Sequence, residues 1–325
     1  MEIDKVSKYV ERLGFVDPNL VEFRSGESNI LYIFATGSKK ITVKTKNPIM
    51  RRNNLKREYE VLVMLLDIGV GIAPFPHNYD EISLGQPIEA IEYFEGETFS
   101  IEYLHRISEV GSLIKKIHSL EVMAVTNPEI YLSDLDFLSE IMKYVDLRLW
   151  EISDLEIPRE VIETLKKVVR RSNDRIEDRK KYFLGNNLKF CHKDFKPDNI
   201  IVPPQGAIKV IDWEYANVCD PAFDLSLFIN GMGLSPELKM IFIKSYGAEA
   251  DTTLEQRVDT YLEYGRIPSL IWCLDRLYNP EYRIIRKDRV EKYLARTRRN
   301  IEEISEHGIL KRLELHYFNP VLENR

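Results

Sequence analysis

Eight residues, His192-Lys193-Asp194-Phe195-Lys196-Pro197-Asp198-Asn199, constrain this chain more than any other stretch. They stand between two short β-rich runs, Leu188–Cys191 and Ile200–Val202, and a third run, Ile208–Ile211, follows. Pro203-Pro204-Gln205-Gly206 supplies the turn between the last two runs, and Asp212 comes directly after them. A loop, a hairpin and a strand-end carboxylate in this order bring Asp194, Asn199 and Asp212 into one neighbourhood. Turn capping accounts for Asp198 and is ordinary work for Asn and Asp. It gives no reason for three oxygen-bearing residues and a histidine at this spacing.

The set matches what phosphoryl transfer needs: a positioned hydroxyl, a metal at the phosphate oxygens and a cation that offsets their charge. Asp194 is the candidate acceptor of a hydroxyl proton. Asn199, a neutral oxygen donor, and Asp212, a hard carboxylate, are the candidate magnesium ligands. His192 is read as structural, a buried ring that orders the loop through backbone bonds.

Hydrophobic residues make up 44% of the 325-residue chain, which supports a sizeable core in one or two domains. Two lobes are expected, divided at Glu95-Gly96-Glu97-Thr98, where the strand pattern Ile88–Phe94 gives way to helical spacing. Residues 1–95 read as a sheet-rich N-lobe that binds nucleotide, and 96–325 as a mostly helical C-lobe with the catalytic loop and the acceptor pocket. In the first, Ile30–Ala35 and Lys40–Lys44 form a hairpin across a four-residue turn, Thr36-Gly37-Ser38-Lys39, and Leu55–Leu66 is helical. In the second, Ile107, Val110, Ile114 and Ile117 start the helical pattern, and Pro236–Arg325 continues it. Residues 133–185 read as a helical insertion, with a stripe at Val161, Leu165 and Val168 after a helix-starting Pro158.

Lys and Arg total 46 against 52 Asp and Glu, a net charge of -6, so no global basic field draws the chain to nucleic acid or an anionic membrane. The N-terminus lacks the basic-then-apolar layout of a signal peptide, and the apolar run Val61–Leu66 is far short of the ~20 residues that span a bilayer. Cys191, Cys219 and Cys273 lie far apart, without zinc spacing or an even count for disulfides. A soluble, cytoplasmic protein is expected.

The octapeptide and the Asp-led strand end resemble the aminoglycoside phosphotransferase and choline kinase superfamily, small-molecule relatives of protein kinases, over nearly the whole chain. The resemblance implies an α+β, bilobal protein-kinase-like fold with a small antiparallel-sheet N-lobe. It also implies ATP and magnesium as cofactors and a small-molecule hydroxyl as acceptor. Asp194 is then the base, Asn199 and Asp212 hold the metal, and Asp224 in Asp220-Pro221-Ala222-Phe223-Asp224-Leu225 braces the loop. Ser25, Gly26, Ser28 and Asn29 resemble the phosphate-covering loop, an ordinary turn being the alternative. Lys44 and Glu58 resemble the pair that holds the α and β phosphates. Lys46 and Glu60 are near alternatives, as are plain surface charges. Ile91-Glu92-Tyr93-Phe94-Glu95-Gly96 resembles the interlobe hinge, which implies adenine bonding by the backbone of Glu92 and Phe94.

Two departures separate the chain from one parent pattern or the other. Lys193 and Lys196 resemble serine/threonine protein kinases, where a lysine at the position of Lys196 assists the γ-phosphate. Asp212-Trp213-Glu214-Tyr215 replaces Asp-Phe-Gly, and no Ala-Pro-Glu segment follows. Asp212-Trp213-Glu214 is instead similar to bacterial choline kinases, which implies that Glu214 lies near metal and substrate. A quaternary ammonium is recognised by aromatic faces and carboxylates, and Tyr261, Glu263, Tyr264, Trp272, Asp275 and Tyr278 fall where this superfamily builds its acceptor pocket. Helical spacing equally makes most of them core. Arg266 and Arg276 suit an anionic or polyhydroxyl acceptor, or surface ion pairs. The acceptor set is therefore Glu214, Tyr264, Trp272 and Arg276, for an amino alcohol such as choline, a sugar or polyol, or an aminoglycoside. A protein kinase and a catalytically silent nucleotide-binding module are the rival readings.

Overall fold

A computed structural model describes residues 3–25, 29–47, 54–82, 84–121, 133–185, 187–247 and 251–279, with 290, 293, 295–297 and 300. Along the chain run α1 (Ile3–Arg12), β1 (Asn19–Ser25), β2 (Asn29–Thr36), β3 (Lys39–Lys46), α2 (Leu55–Asp67), β4 (Pro76–Asp80), β5 (Ile88–Glu92), β6 (Glu97–Thr98) and α3 (Ile107–His118). These are followed by α4 (Asp134–Ser153), α5 (Arg159–Arg179), β7 (Lys189–Cys191), β8 (Ile200–Val202), β9 (Lys209–Val210), β10 (Asn217–Cys219), α6 (Pro221–Met232), α7 (Pro236–Tyr246) and α8 (Leu254–Tyr278). The architecture is α+β, as the sequence implies.

The expected hairpin is β2–β3, but Thr36 pairs with Lys39, so the connection is only Gly37-Ser38. Gly37 has φ 62°, which a two-residue hairpin turn needs and a glycine supplies without steric cost. Around it stands a five-stranded sheet in the order β1-β2-β3-β5-β4, with antiparallel neighbours throughout. Side chains of a strand alternate between faces, and directly paired residues share one. Hence Phe34, Ile41, Val43 and Ala90 lie together and form one core with Val6, Tyr9 and Val10 of α1. The opposite face carries Lys44 and its register partner Glu89. Helix α2 packs on β3, β4 and β5 and presents Val61, Leu62, Leu65 and Glu58 as buried residues.

Strand β5 stops at Glu92, two residues before the expected end at Phe94, where the chain turns into the segment leading to β6. Gly96, in that segment, has φ 146°, and a Cβ there would sit 2.4 Å from the Val202 carbonyl oxygen, so only glycine allows the approach to β8. Strands β6, β8 and β9 form a second small sheet.

The chain divides into two compact units that interleave in sequence. One comprises Met1–Glu129, Lys189–Val218 and Gly231–Gly247, the other Ile130–Leu188, Cys219–Asn230 and Ala248–Arg325. In the second, α4, α5 and α8 pack together, so residues 133–185 are helical as expected. Val161, Leu165 and Val168 are buried, and Pro158 stands one position before α5, with extended backbone at its N-cap. Tyr261 of α8 packs edge-on against Phe137, Phe183 and Phe223. Of the helical expectation for Pro236–Arg325, α7 and α8 are described, while most of 280–325 lies outside the described residues. Among the described residues, no helix is long and apolar enough to cross a membrane.

Candidate active site

The loop after β7 is built from bonds between near neighbours. Asn199 Nδ2 donates to both the Asp194 carbonyl and Asp194 Oδ2, each at 2.9 Å, which is why Asp and Asn stand five residues apart. Lys196 N–H donates to the Asp194 carbonyl at 2.8 Å and Asn199 N–H to the Lys196 carbonyl at 2.9 Å, winding Pro197–Asn199 into a single 3₁₀ turn. Gly231 closes on this turn, since a Cβ there would meet Pro197 Cδ at 2.5 Å. His192 is fully buried. Its Nδ1 accepts from the Asp194 N–H at 3.3 Å and its Nε2 is 3.0 Å from the Ile211 carbonyl, an arrangement that fixes the Nε2–H tautomer. The ring therefore bonds to the backbone at both ends of this stretch.

Asp194 Oδ2 also receives Lys196 Nζ at 2.6 Å. Burial pushes the Asp194 carboxyl up, with Lys196 opposing and Asp212 adding to the rise. A carboxylate made more basic in this way is better suited to take a proton.

The second half of the site hangs on the inner face of the sheet. Lys44 Nζ bonds both carboxylate oxygens of Glu58, at 2.7 and 2.8 Å, and Asp212 Oδ1 at 3.2 Å. Glu58 Oε1 further accepts the Trp213 N–H at 3.2 Å, and Trp213 Nε1 donates to the Val210 carbonyl at 2.9 Å. Asp212 has φ 67° and Lys193 φ 61°. Non-glycine residues in this region cost of order 1–3 kcal/mol each and persist where surrounding contacts impose them. Here the strain aims the Asp212 carboxylate back at Lys44.

Burial alone would lower the Lys44 amine, but Glu58 and then Asp212 outweigh it and hold the charged form firmly. Asp212 shows the reverse balance. Burial raises its carboxyl, Lys44 and Lys196 overcome that, and it stays ionised below the usual range. Glu214, buried, is pushed up to about 8 by that burial and then by Asp212 and Glu58.

The structure thus gathers Lys44, Glu58, His192, Asp194, Lys196, Asn199, Asp212 and Glu214 in one unit. Of the paired alternatives, Glu58 is the buried one and Glu60 faces outward. Ser25 and Asn29 end β1 and begin β2; Asn29 is buried opposite Lys46, and Gly26 and Ser28 lie outside the described residues. The Glu92 N–H is committed to the Phe75 carbonyl at 2.9 Å.

Asp224, Tyr264, Trp272 and Arg276 belong to the other unit. Asp224 is fully buried in the first turn of α6, and Tyr264 is buried with a hydroxyl that finds no hydrogen-bond partner among the described residues. The Trp272 ring is flanked by the guanidinium carbons of Arg276 at 5.1 Å and Arg296 at 5.6 Å. Sequence reasoning missed Glu89. Its signal was the pairing of an acidic residue with Lys44 across adjacent strands, visible once register is known.

Magnesium chemistry fits these residues. Asn199 spends its amide nitrogen on Asp194, which leaves Oδ1 to offer, and Asp212 supplies an ionised carboxylate. Both are oxygen donors of the kind a hard cation takes.

The phosphotransferase enzyme family (APH) matches the chain over residues 19–259. No curated protein sequence matches it significantly. Among solved structures, choline kinase LicA from Streptococcus pneumoniae superposes with a TM-score of 0.67 at 21% identity, covering 93% of this chain and 98% of that one. A Plasmodium vivax ethanolamine kinase gives 0.61 at 17%, covering 86% and 81%. A spectinomycin phosphotransferase, APH(9)-Ia, in complex with ADP and spectinomycin gives 0.67 at 15%, covering 92% and 94%. These likenesses extend the protein-kinase-like fold over most of the chain.

Proposed function

Because the chain belongs to the phosphotransferase enzyme family, we propose that it is an ATP- and magnesium-dependent kinase that phosphorylates a hydroxyl of a small molecule. The observation that carries the reading is the Asp194 carboxylate, held on one oxygen by Lys196 and Asn199 beside an ionised Asp212 and a charged Lys44.

In this reading Asp194 accepts the proton of the acceptor hydroxyl as its oxygen attacks phosphorus. Lys44, anchored by Glu58, binds the α and β phosphates, and Lys196 turns its ammonium to the γ-phosphate. Asn199 Oδ1 and the Asp212 carboxylate would hold magnesium, which neutralises phosphate charge when bound. The backbone of Glu92 and Phe94 takes the adenine edge, and Ser25, Gly26, Ser28 and Asn29 cover the phosphates.

The acceptor we assign to an amino alcohol, a sugar or polyol, or an aminoglycoside-like molecule, with Glu214, close to Asp212 and Asp194, as its binding residue. The choline, ethanolamine and spectinomycin named for the similar structures are hydroxyl compounds of this kind. A cytoplasmic setting, where ATP is supplied, suits the reaction.

The test incubates the protein with ATP and magnesium against a panel of small alcohols, sugars and aminoglycosides, following product mass. Turnover with one acceptor class, nearly lost in Asp194→Asn, is the expected result. Transfer confined to protein substrates would favour a protein kinase, and nucleotide binding without transfer to any acceptor a silent module.

A further inference from the structure

Glu89 is a fully buried acidic residue to which the proposed reaction gives no part. It sits on β5 directly opposite Lys44 of β3, on the face that meets Glu58 of α2. Among the described residues, neither of its carboxylate oxygens has a hydrogen-bond partner. An ionised carboxylate buried without donors is strongly disfavoured and takes up a proton instead. Glu89 and Glu58 are also close enough to form a side-chain hydrogen bond, but two carboxylates have no hydrogen between them. A single proton resolves both observations, because it makes one oxygen a donor and the other its acceptor.

We propose that Glu89 carries that proton and donates it to Glu58, so that Lys44 is opposed by the charges of Glu58 and Asp212 alone and stays available to phosphate oxygens. With all three carboxyls ionised, the cluster would hold three negative charges against one positive. The lysine would then be drawn toward the protein rather than the nucleotide. Burial first, and Glu58 second, push the Glu89 carboxyl upward, with Lys44 opposing. The groups facing it are Lys44 from β3, Glu58 from α2, Asp212 after β9 and Tyr79 from its paired position on β4. The Tyr79 hydroxyl is pushed up, mainly by burial, and so remains neutral alongside it. Glu89 is thus a positioning residue that acts through Glu58 and Lys44, and the inference rests on the reading of Lys44 as the phosphate-binding lysine.

Infrared spectroscopy of the full-length protein in heavy water reads the proton directly, and calorimetry with a non-hydrolysable ATP analogue and magnesium reads its consequence. At neutral pH the difference spectrum of wild type minus Glu89→Gln should show the carbonyl stretch of a protonated buried carboxyl, the contribution of Glu214 being common to both and cancelling. Glutamine keeps a neutral donor, so it should bind the analogue within about threefold of wild type, whereas Glu89→Leu should bind about tenfold more weakly. At alkaline pH the wild type should lose affinity as Glu89 ionises, and Glu89→Gln should not. Absence of the band, a glutamine variant as weak as leucine, or identical pH profiles for wild type and Glu89→Gln would each overturn the proposal. If Glu89→Leu fails to fold, the spectrum and the two pH profiles still decide it. A protein that binds nucleotide in this manner but transfers phosphate to nothing would sink the proposed reaction and leave the Glu89 proton standing.

Discussion

In each unit a buried cation stands among three carboxyls, and the two clusters use it differently. In the second unit Arg257 spends all of its N–H groups. Nε and Nη2 meet the two oxygens of Asp220 at 2.9 and 3.2 Å, and Nη1 and Nη2 meet those of Asp251 at 3.1 and 2.8 Å. Nη1 also reaches Thr253 Oγ1 at 2.6 Å. The third carboxyl, Asp134, takes its bonds from Asn187, and Asp220 also accepts the Ala222 N–H at the start of α6. None of these aspartates has a positive φ. In the first unit Lys44 faces Glu58, Asp212 and Glu89, with Asp212 strained and Glu89 without a donor. A planar fork with every hydrogen placed locks its surroundings, while a point charge with movable donors can change partners. The contrast teaches that hydrogen-bond satisfaction, more than charge count, separates a locked ion cluster from one whose cation can change partners.

The contrast breaks if the first cluster proves structural or the second dispensable. Asp194→Asn, beside the Lys44 cluster, should lower kcat by about 10²–10⁴-fold in an ADP-release assay while the unfolding midpoint holds. A large loss of stability instead would make this site a structural one. Arg257→Leu should do the opposite and cost about 3–5 kcal/mol in denaturant unfolding, because it strands buried carboxylates. A cost under about 1 kcal/mol would show that the fork locks nothing. Arg257→Lys keeps the charge and loses the fork, and about 1–3 kcal/mol of destabilisation would isolate the geometric share. Smallest should be Glu263→Gln, since Arg175 and Arg179 meet that carboxylate near solvent. Denaturation should register about 0–1 kcal/mol, weakening further in high salt.

What was legible in the sequence follows the same division. The Asp194, Lys196 and Asn199 bonds join residues at most five apart, so their spacing encodes their geometry. The β2–β3 hairpin was legible for a like reason, although its turn proved shorter because Thr36 and Lys39 pair with each other. Glu58 needed the helix face to separate it from Glu60, a distinction that packing of α2 makes. Glu89 was hidden because Ile-Glu-Ala-Ile-Glu reads as a half-exposed strand, and only β3 and β4 on either side with α2 above bury its acidic face. Arg257 gave no signal at all. Asp220 lies 37 residues away, and nothing local distinguishes this arginine from the others of its helix.

The interleaving of the two units bears on how the chain is made. Lys44 and Asp212 are 168 residues apart, and at a synthesis rate of about 5–20 residues per second the lysine leaves the ribosome roughly ten to thirty seconds before the aspartate that meets it. Strands β1 to β5 and α2 emerge early and can close their sheet, but β7 to β9 and α7, which belong to the same unit, follow only after all of α4 and α5. During that interval the nascent sheet presents the Lys44, Glu58 and Glu89 cluster without its final partner. Slowing or speeding translation between residues 129 and 189 should therefore change the yield of native protein more than the same change made within β1 to β3.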